Sequence, residues 1–204
     1  MDDMATMIGG LSGFLDDKDI ITDSTDMAPF LTDWRGLFTG SAQAIVFPRS
    51  TEQVSALMAY AQTHNIRIVP QGGNTGLVGG AIPDNTGSAV ILSLSRMKAI
   101  RDFSEANMSM TVEAGCILQE LQAYAEERDL YFPLNLAAKG SCTIGGNLAT
   151  NAGGVNVVRY GNTRDLCLGL EIVLLGGRVM NLLTPLRKDN TGYDLKNLFI
   201  GSEG

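Results

Sequence analysis

The sequence predicts a fold that mixes helices with parallel strands, and two segments carry that prediction. Apolar runs at residues 44–48 and 66–69 have the composition of buried strands. The segment between them has apolar residues at the i, i+3, i+4 and i+7 spacing of an amphipathic helix: Val54, Leu57, Met58 and Ala61. Ser50 and Gln53 supply a capping box at its start. A strand–helix–strand unit of this length predicts a parallel strand pair joined by a right-handed crossover.

The remaining elements follow from the same kinds of pattern. A short helix is expected from Met4 to Leu15, and a second amphipathic helix from Ile117 to Ala125. Three further strands are expected at residues 89–94, 99–103 and 108–113. The run from 168 to 183, interrupted by Gly176 and Gly177, is typical of a hairpin with a glycine turn.

Size and charge limit the possible classes of protein. A length of 204 residues suits one domain, or two small lobes that share a site. The net charge of -7, without a basic block, disfavours a nucleic-acid or anionic-membrane partner. No apolar run reaches the roughly 18 residues that span a bilayer. Since Met1–Met4 is acidic where a secretory or mitochondrial address would be basic, a cytoplasmic protein is expected.

A glycine-rich loop at residues 70–80 is the first candidate site. It follows a predicted strand, and five of the nine residues from 72 to 80 are glycine. Without Cβ atoms, the backbone can turn sharply and bring bare N–H groups against a ligand. Such groups form an anion-binding nest that suits a pyrophosphate, and Asn74 and Thr75 could add donors. On these residues alone, a surface loop that connects two strands is an equal alternative.

A second candidate is the segment from Leu134 to Gly154, which is long, rich in small residues and almost uncharged. A loop of this length in a compact domain is usually functional or disordered, and its apolar residues argue against disorder. Its small residues would allow backbone, or a flat ring, to approach closely. It is therefore interpreted as a second functional loop.

Several other chemistries are disfavoured by the residues present. The sequence contains neither G-x-x-x-x-G-K-[ST] nor a G-x-G-x-x-G that opens a helix, which argues against a P-loop and a Rossmann site. His64 is the one histidine and lies where the first amphipathic helix ends, facing its dipole. The three cysteines form no CxxC pair and are expected to be buried free thiols: Cys116, Cys142 and Cys167. A bound cofactor would therefore have to carry any chemistry.

The motifs, in order, form a pattern that resembles a known family. They are Pro48–Ser50, Pro70–Leu77, Val112–Gly115, Ser141–Asn147, Asn151–Gly154, Arg159–Gly161, Arg187–Leu195 and Leu198–Gly204. Together they resemble the flavin-linked oxidases and dehydrogenases of the vanillyl-alcohol-oxidase type over residues 29–204. The resemblance implies an α+β fold, a two-lobed FAD-binding domain truncated at its C-terminus. Residues 1–40 have the pattern of a leader onto the domain, and the resemblance implies a domain at 41–204 with lobes 41–105 and 106–204, and a missing substrate domain.

The resemblance also implies which residues hold FAD. Residues 72–77 would wrap the pyrophosphate, residues 141–147 would approach it from the other side, and residues 201–204 would lie toward the adenosine and ring region. The expected cofactor-binding residues are Pro70, Gly72, Gly73, Asn74, Thr75, Gly76, Leu77, Pro133, Ser141, Gly145, Gly146, Asn147, Gly201 and Gly204. Catalytic and metal-binding residues would belong to the missing part, so none is assigned.

Within the family, the residues of these motifs are most similar to those of the D-2-hydroxyglutarate dehydrogenases. The D-lactate and glycolate dehydrogenases are near relatives. This resemblance implies oxidation of a small D-2-hydroxy acid by hydride transfer to FAD, with a quinone or an electron-transfer flavoprotein as acceptor. Covalent members carry a histidine in the glycine loop, where this chain has Asn74, so non-covalent FAD is expected. The 204 residues alone are expected to be inactive, and a homodimer is the assembly to test.

Three alternatives to this interpretation stay open at the level of sequence. One is a flavin reductase of the UDP-acetylenolpyruvoylglucosamine type, which shares the domain and uses nicotinamide as donor. Another is a non-catalytic FAD-binding or electron-relay module. The third is a glycine-rich domain that binds nothing.

Overall fold

The computed structural model describes residues 4–204, and these form two compact units. The first unit runs to Arg96 and also contains Ile172–Met180. The second contains Met97–Glu171 and Asn181–Gly204. The leader boundary at residue 40 and the lobe boundary at residue 105 are not tested by this division, and they stay predictions.

Between residues 4 and 96, the first unit contains three α-helices and four strands. They are α1 (Met4–Leu11), β1 (Ile20–Ile21), α2 (Ser24–Met27), β2 (Ala42–Val46), α3 (Thr51–Thr63), β3 (Arg67–Gln71) and β4 (Ala89–Ser93). The expectation that the first helix continues to Leu15 is wrong, since α1 ends at Leu11. Gly13 lies two residues beyond this end, and glycine is about 1 kcal/mol less favourable than alanine inside a helix.

The four strands of the first unit form one sheet in the order β1-β2-β4-β3. Strands β2 and β3 both run parallel to β4, and β1 runs antiparallel to β2. The expected direct pairing of β2 with β3 is therefore wrong, because β4 lies between them. All five residues of β4 are buried, as a central strand covered on both faces requires.

The N-cap of α3 agrees with the sequence pattern, because the Ser50 hydroxyl accepts a hydrogen bond from the N–H of Gln53 at 3.3 Å. The second half of the predicted capping box differs: the Gln53 side chain accepts from the N–H of Arg49, at 2.7 Å, rather than from that of Ser50. The buried face of the helix includes the predicted stripe residues Val54, Leu57 and Ala61.

The second unit begins with the antiparallel pair β5 (Ile100–Ser104) and β6 (Ser109–Val112). Four helices follow: α4 (Leu118–Glu126), α5 (Ile144–Ala149), α6 (Val157–Tyr160) and α7 (Thr163–Leu166). Further along the chain, β7 (Leu170–Val173) and β8 (Val179–Leu182) pair in a two-stranded sheet, as the hairpin pattern predicted, and Ile172–Met180 of this hairpin belongs to the first unit.

The segment interpreted from sequence as one long loop contains α5, so that interpretation is wrong in part. Thr143 is the N-cap of α5, and its hydroxyl accepts a hydrogen bond from the N–H of Gly146. Two of the six residues of α5 are glycine, which lowers its helix propensity, so the sequence did not predict a helix here. Tertiary packing overrides that propensity, because Ile144 lies in a buried cluster with Cys116 and Leu121.

Candidate functional site

The glycine loop starts at the carboxyl end of β3 and leads toward β4. Pro70 is exposed in β3 and pairs in register with Leu92, while Gln71 is 3% exposed. Residues 72–75 are half-buried, and residues 76–78 are exposed. The loop therefore presents its backbone at the strand end where ligands of parallel sheets bind.

The N–H groups of residues 72–78 in this loop are not paired within the described part of the chain. Among residues 4–204, no main-chain or side-chain acceptor receives a hydrogen bond from the N–H of residues 72–78. The loop closes only afterwards, where Ile82 N–H donates to the Gly79 carbonyl at 3.0 Å. Asn74 has a φ of 49°, so the backbone turns through the left-handed region within this run. Unpaired amides at such a turn are the donor set of an anion-binding nest.

Two glycines of the loop are glycine for different reasons. At Gly79 the φ is 76°, and a Cβ would lie 2.8 Å from the Phe38 ring, so the protein's own packing requires glycine there. At Gly76 a Cβ would meet nothing within 4 Å, and no positive φ requires glycine. Neither packing nor conformation explains Gly76. A ligand that approaches the backbone closely at this point would explain it.

Three side chains fasten the loop to earlier parts of the first unit. The Gln71 amide nitrogen donates to the carbonyls of Phe30 and Ala81, each at 2.9 Å. The Asn74 amide nitrogen donates to the Thr32 carbonyl at 2.9 Å. Arg35 donates from Nη2 to the Leu77 carbonyl at 2.6 Å.

The sequence treated Asn74 as a donor for the ligand and assigned no role to Gln71 or Arg35. The position of Gln71 at the edge of a glycine loop was a usable signal. Arg35 offered none, because its partner lies 42 residues further along the chain.

In the second unit, the expected site residues Pro133 and Ser141 lie before α5. The Pro133 carbonyl accepts a hydrogen bond from the Asn156 side chain at 3.0 Å. Ser141 is exposed, and its hydroxyl donates to the Ala138 carbonyl at 3.4 Å. Both residues therefore take part in local hydrogen bonds of this segment.

The expected residues within α5 have roles in packing. A Cβ at Gly145 would lie 2.7 Å from the Ala114 Cβ, and the Gly145 N–H donates to the Ala114 carbonyl at 2.8 Å. Asn147 is 4% exposed and accepts a contact from the Cys142 thiol at 3.7 Å. The N–H groups of Gly145, Gly146 and Asn147 all have acceptors within the protein. The two glycine-rich segments thus differ: among the described residues, the backbone N–H groups at 72–78 have no protein acceptor, whereas those at 145–147 donate to acceptors within the protein.

Arg164 organises the C-terminal segment. Its guanidinium donates to the Asn197 carbonyl at 3.0 Å and the Asn197 side chain at 2.9 Å, and also to the Ile200 carbonyl. Gly201 has a φ of 84° and donates its N–H to the Leu148 carbonyl at 3.0 Å. Gly204 is exposed, with a φ of 105°. The sequence did not single out Arg164, since its partners lie more than 30 residues away.

The reactive side chains of the described chain show no activated nucleophile. Cys116 and Cys142 are buried and Cys167 is partly exposed, and all three are free thiols. Burial raises the pKa of each of these thiols, which keeps them neutral and weakly nucleophilic. No group of three or more His, Cys, Asp or Glu side chains within residues 4–204 could hold a metal ion. In the same range, no helix is long and apolar enough to cross a membrane.

The family follows from comparison with known proteins. A family described as "FAD binding domain" matches residues 42–183. The chain belongs to this FAD-binding domain family. Its glycine loop fits the cofactor's pyrophosphate in two respects: the amides at 72–78 lack protein acceptors, and the backbone at Gly76 is open.

Members of the family with curated names are similar over most of this chain. A mitochondrial D-2-hydroxyglutarate dehydrogenase of Bos taurus is 49% identical over 91% of the chain and 34% of its own length. That of Danio rerio is 50% identical over 90% of the chain and 34% of its own length. A Schizosaccharomyces pombe protein, named as a mitochondrial D-lactate dehydrogenase, is 42% identical over 98% of the chain and 38% of its length. The chain therefore spans about a third of these relatives.

These names overturn one expectation. The cytoplasmic location expected from the acidic start of the sequence is wrong, because the similar dehydrogenases are named mitochondrial. The acidic residues Met1–Met4 show only that these four residues do not resemble a targeting signal. Compartment depends on targeting signals, and the folded domain does not require them.

Solved structures confirm the fold of the FAD-binding domain. An alkyldihydroxyacetonephosphate synthase has a TM-score of 0.86 at 23% identity, over 98% of this chain and 38% of its own. A p-cresol methylhydroxylase has a TM-score of 0.76 at 21% identity, over 96% of this chain and 40% of its own. The α+β FAD-binding fold of the vanillyl-alcohol-oxidase type, implied by the motifs, is thereby confirmed.

Proposed function

We propose that this chain is the FAD-binding part of a flavin-dependent D-2-hydroxyacid dehydrogenase, and that the whole enzyme oxidises D-2-hydroxyglutarate to 2-oxoglutarate. The observation that carries the cofactor assignment is the run of amides at 72–78 without protein acceptors, in a chain of the FAD-binding family. The substrate assignment rests on the similar D-2-hydroxyglutarate dehydrogenases. These relatives also support a mitochondrial location for the parent protein.

The glycine loop holds the pyrophosphate in this proposal. Residues 72–77 donate backbone N–H groups to its oxygens, and each charge-assisted hydrogen bond contributes on the order of 1.5–3 kcal/mol. Four or five such contacts suffice for tight binding without a covalent bond. The cofactor-binding residues that the resemblance implied at 133–147 and 201–204 stay predictions.

The bound FAD is non-covalent in this proposal. The glycine loop has Asn74 and no histidine, and the single histidine of the chain, His64, is the C-cap of α3. Precipitation of the FAD-loaded protein with acid is expected to release all flavin into the supernatant. Yellow flavin retained in the washed pellet would contradict non-covalent binding.

Bound FAD would supply the hydride acceptor for oxidation of the hydroxy acid, and the residues of this chain would bind and orient it. A quinone or an electron-transfer flavoprotein is the proposed electron acceptor of the whole enzyme. The relatives extend well beyond the length of this chain, and the residues that bind substrate are proposed to lie in that additional part. The 204 residues alone are therefore expected not to oxidise D-2-hydroxyglutarate with a dye as acceptor.

The proposal is tested first by titrating the purified chain with FAD. Saturable quenching of flavin fluorescence is expected, together with thermal stabilisation of about 2.7 kcal/mol at FAD concentrations a hundred times the Kd. FMN, which lacks the pyrophosphate, is the control ligand and should stabilise far less. Colourless protein that FAD neither colours nor stabilises would contradict the assignment.

A second candidate substrate is D-lactate. It is supported by the similarity to the Schizosaccharomyces pombe protein that is named as a D-lactate dehydrogenase. The full-length enzyme, assayed with a dye acceptor, should show a higher kcat/KM for D-2-hydroxyglutarate than for D-lactate or glycolate. The reverse order would assign the enzyme to the D-lactate class and leave the FAD-binding proposal intact. Bleaching of the bound flavin by NADPH would instead indicate a nicotinamide-dependent reductase.

A further inference from the structure

We propose that residues 30–38, here called the support turn, hold the glycine loop in its FAD-binding conformation, and that Asn74 is a positioning residue. This inference rests on the proposed FAD binding, and the support turn lies outside the family match, which begins at residue 42. It reverses the role that the sequence suggested for Asn74, which was a direct donor to the cofactor. Only residues of the first unit are involved.

The loop is tied to the support turn at three points along its length. At its start, Gln71 donates to Phe30 on the turn and to Ala81 beyond the loop, so one amide closes the base of the loop. In its middle, Asn74 donates to Thr32. On its far limb, the Leu77 carbonyl accepts from an arginine of the turn.

The use of the Asn74 side chain decides its role. Its amide nitrogen is 2.9 Å from the Thr32 carbonyl, so this donor is already engaged within the protein. Its backbone lies at a φ of 49°, a conformation that asparagine tolerates better than most residues. Asn74 therefore allows the loop to turn and attaches it to the support turn by a hydrogen bond. Its backbone N–H stays available for a ligand.

The support turn is itself well ordered. The Asp33 carboxylate, in a residue 5% exposed, accepts hydrogen bonds from the N–H groups of Leu37 and Phe38, each at 2.7 Å. The Asp33 N–H donates in turn to the Phe38 carbonyl at 3.0 Å. Thr32 and Thr39 form an antiparallel bridge at the neck of the turn. A loop fastened to this turn is held by a structure with its own hydrogen bonds.

The consequence concerns affinity. A flexible loop that must become ordered on binding loses conformational entropy at that moment, and this weakens the complex. When the loop is already held in place by the folded protein, this entropy is lost during folding and no longer weakens FAD binding. The fastenings use side-chain donors and carbonyl acceptors only, so the N–H groups at 72–78 remain free to meet a pyrophosphate.

The test measures loop order without FAD and affinity with it. In the ligand-free wild type, backbone ¹⁵N order parameters for residues 72–78 are expected near 0.85, the value of rigid backbone. Asn74→Gly keeps the positive φ and removes the fastening. Asp33→Ala disrupts the support turn at a residue that does not touch the loop. Both variants should lower the order parameters of 72–78 below about 0.6 and weaken FAD binding about tenfold, with order in α3 unchanged.

Asn85→Gly is the matched control, because Asn85 is exposed in a different turn and should change neither measurement. If Asn74→Gly weakened FAD binding while the loop kept its order, Asn74 would be a direct contact and the inference would be wrong. If Asp33→Ala altered neither quantity, the support turn would have no such role. A wild type that binds no FAD would refute the proposed function, while the order parameters still decide whether the turn orders the loop.

Discussion

Arg49 forms a bidentate ion pair with Asp19, with Nε 2.7 Å from Oδ2 and Nη2 2.8 Å from Oδ1. The Asp19 side chain is fully buried, and Arg96 also pairs with it while stacking 4.7 Å over the Phe47 ring. Asp19 lies next to β1, and its carbonyl accepts a hydrogen bond from Phe47 N–H at 2.9 Å. The ion pair therefore joins the start of the chain to the end of β2.

Replacing Asp19 by asparagine should strongly destabilise the first unit. The substitution leaves two guanidinium groups without a counter-charge, and breaking a buried pair costs about 3 kcal/mol, the low end because both arginines keep some contact with water. The check is the urea midpoint of the chain with and without Asp19→Asn. Asp16→Asn, in an exposed pair with Lys18, is the control and should shift the midpoint little. Equal midpoints for the two variants would contradict the structural role of Asp19.

Gly76→Leu should separate FAD binding from folding. Because a Cβ at Gly76 meets no protein atom within 4 Å, stability without FAD should change little. The bulky side chain would occupy space that the pyrophosphate needs, so affinity should fall about tenfold to a hundredfold, as expected for one lost charge-assisted contact. Gly9→Leu, also at a site with open space, is the control for FAD affinity, which it should leave unchanged. Unchanged FAD affinity in Gly76→Leu would place the pyrophosphate elsewhere.

Gly145→Ala should have the opposite profile, with a direct loss of stability. The new Cβ would lie 2.7 Å from the Ala114 Cβ and 2.9 Å from its carbonyl oxygen, which forces α5 away from Ala114. Overpacking of this kind costs about 1–3 kcal/mol. Calorimetry without FAD measures it. Gly9→Ala, in open space on α1, is the control: it gains the same helix propensity, about 1 kcal/mol, without a clash, and should not destabilise. A melting temperature equal to that of wild type would show that α5 can move at no cost.

Asp33 should make the stability of the support turn depend on pH in the acid range. The Phe38 N–H, with those of Arg35 and Leu37, holds the pKa of Asp33 below its ordinary value of 3.8, although burial acts to raise it. Because the folded pKa is the lower one, the stabilisation is fully present above about pH 4 and is lost as pH falls through the folded pKa. The difference in urea midpoint between wild type and Asp33→Asn should therefore narrow below about pH 4. A difference that stays constant down to pH 2 would contradict this assignment.

Local patterns predicted the elements that depend on local interactions. The cap and buried stripe of α3 involve residues within a few positions of each other, so Ser50 and Gln53 could be identified directly. Strand β4 was found from its apolar run, but its central place between β2 and β3 was not. Helix α5 was missed because packing against Cys116 and Leu121 outweighs the poor helix propensity of its glycines.

The amino-acid sequence by itself determined the family, the α+β fold and the glycine loop at 70–80, because short motifs in a fixed order specify a backbone shape. Tertiary structure alone decided how that loop is held. The Asn74 amide, which from sequence was a donor for the ligand, donates to Thr32, and the donors left without a protein partner are the backbone N–H groups at 72–78. Such a distinction depends on contacts between residues about 40 positions apart, whose hydrogen bonds exist only once the chain is folded.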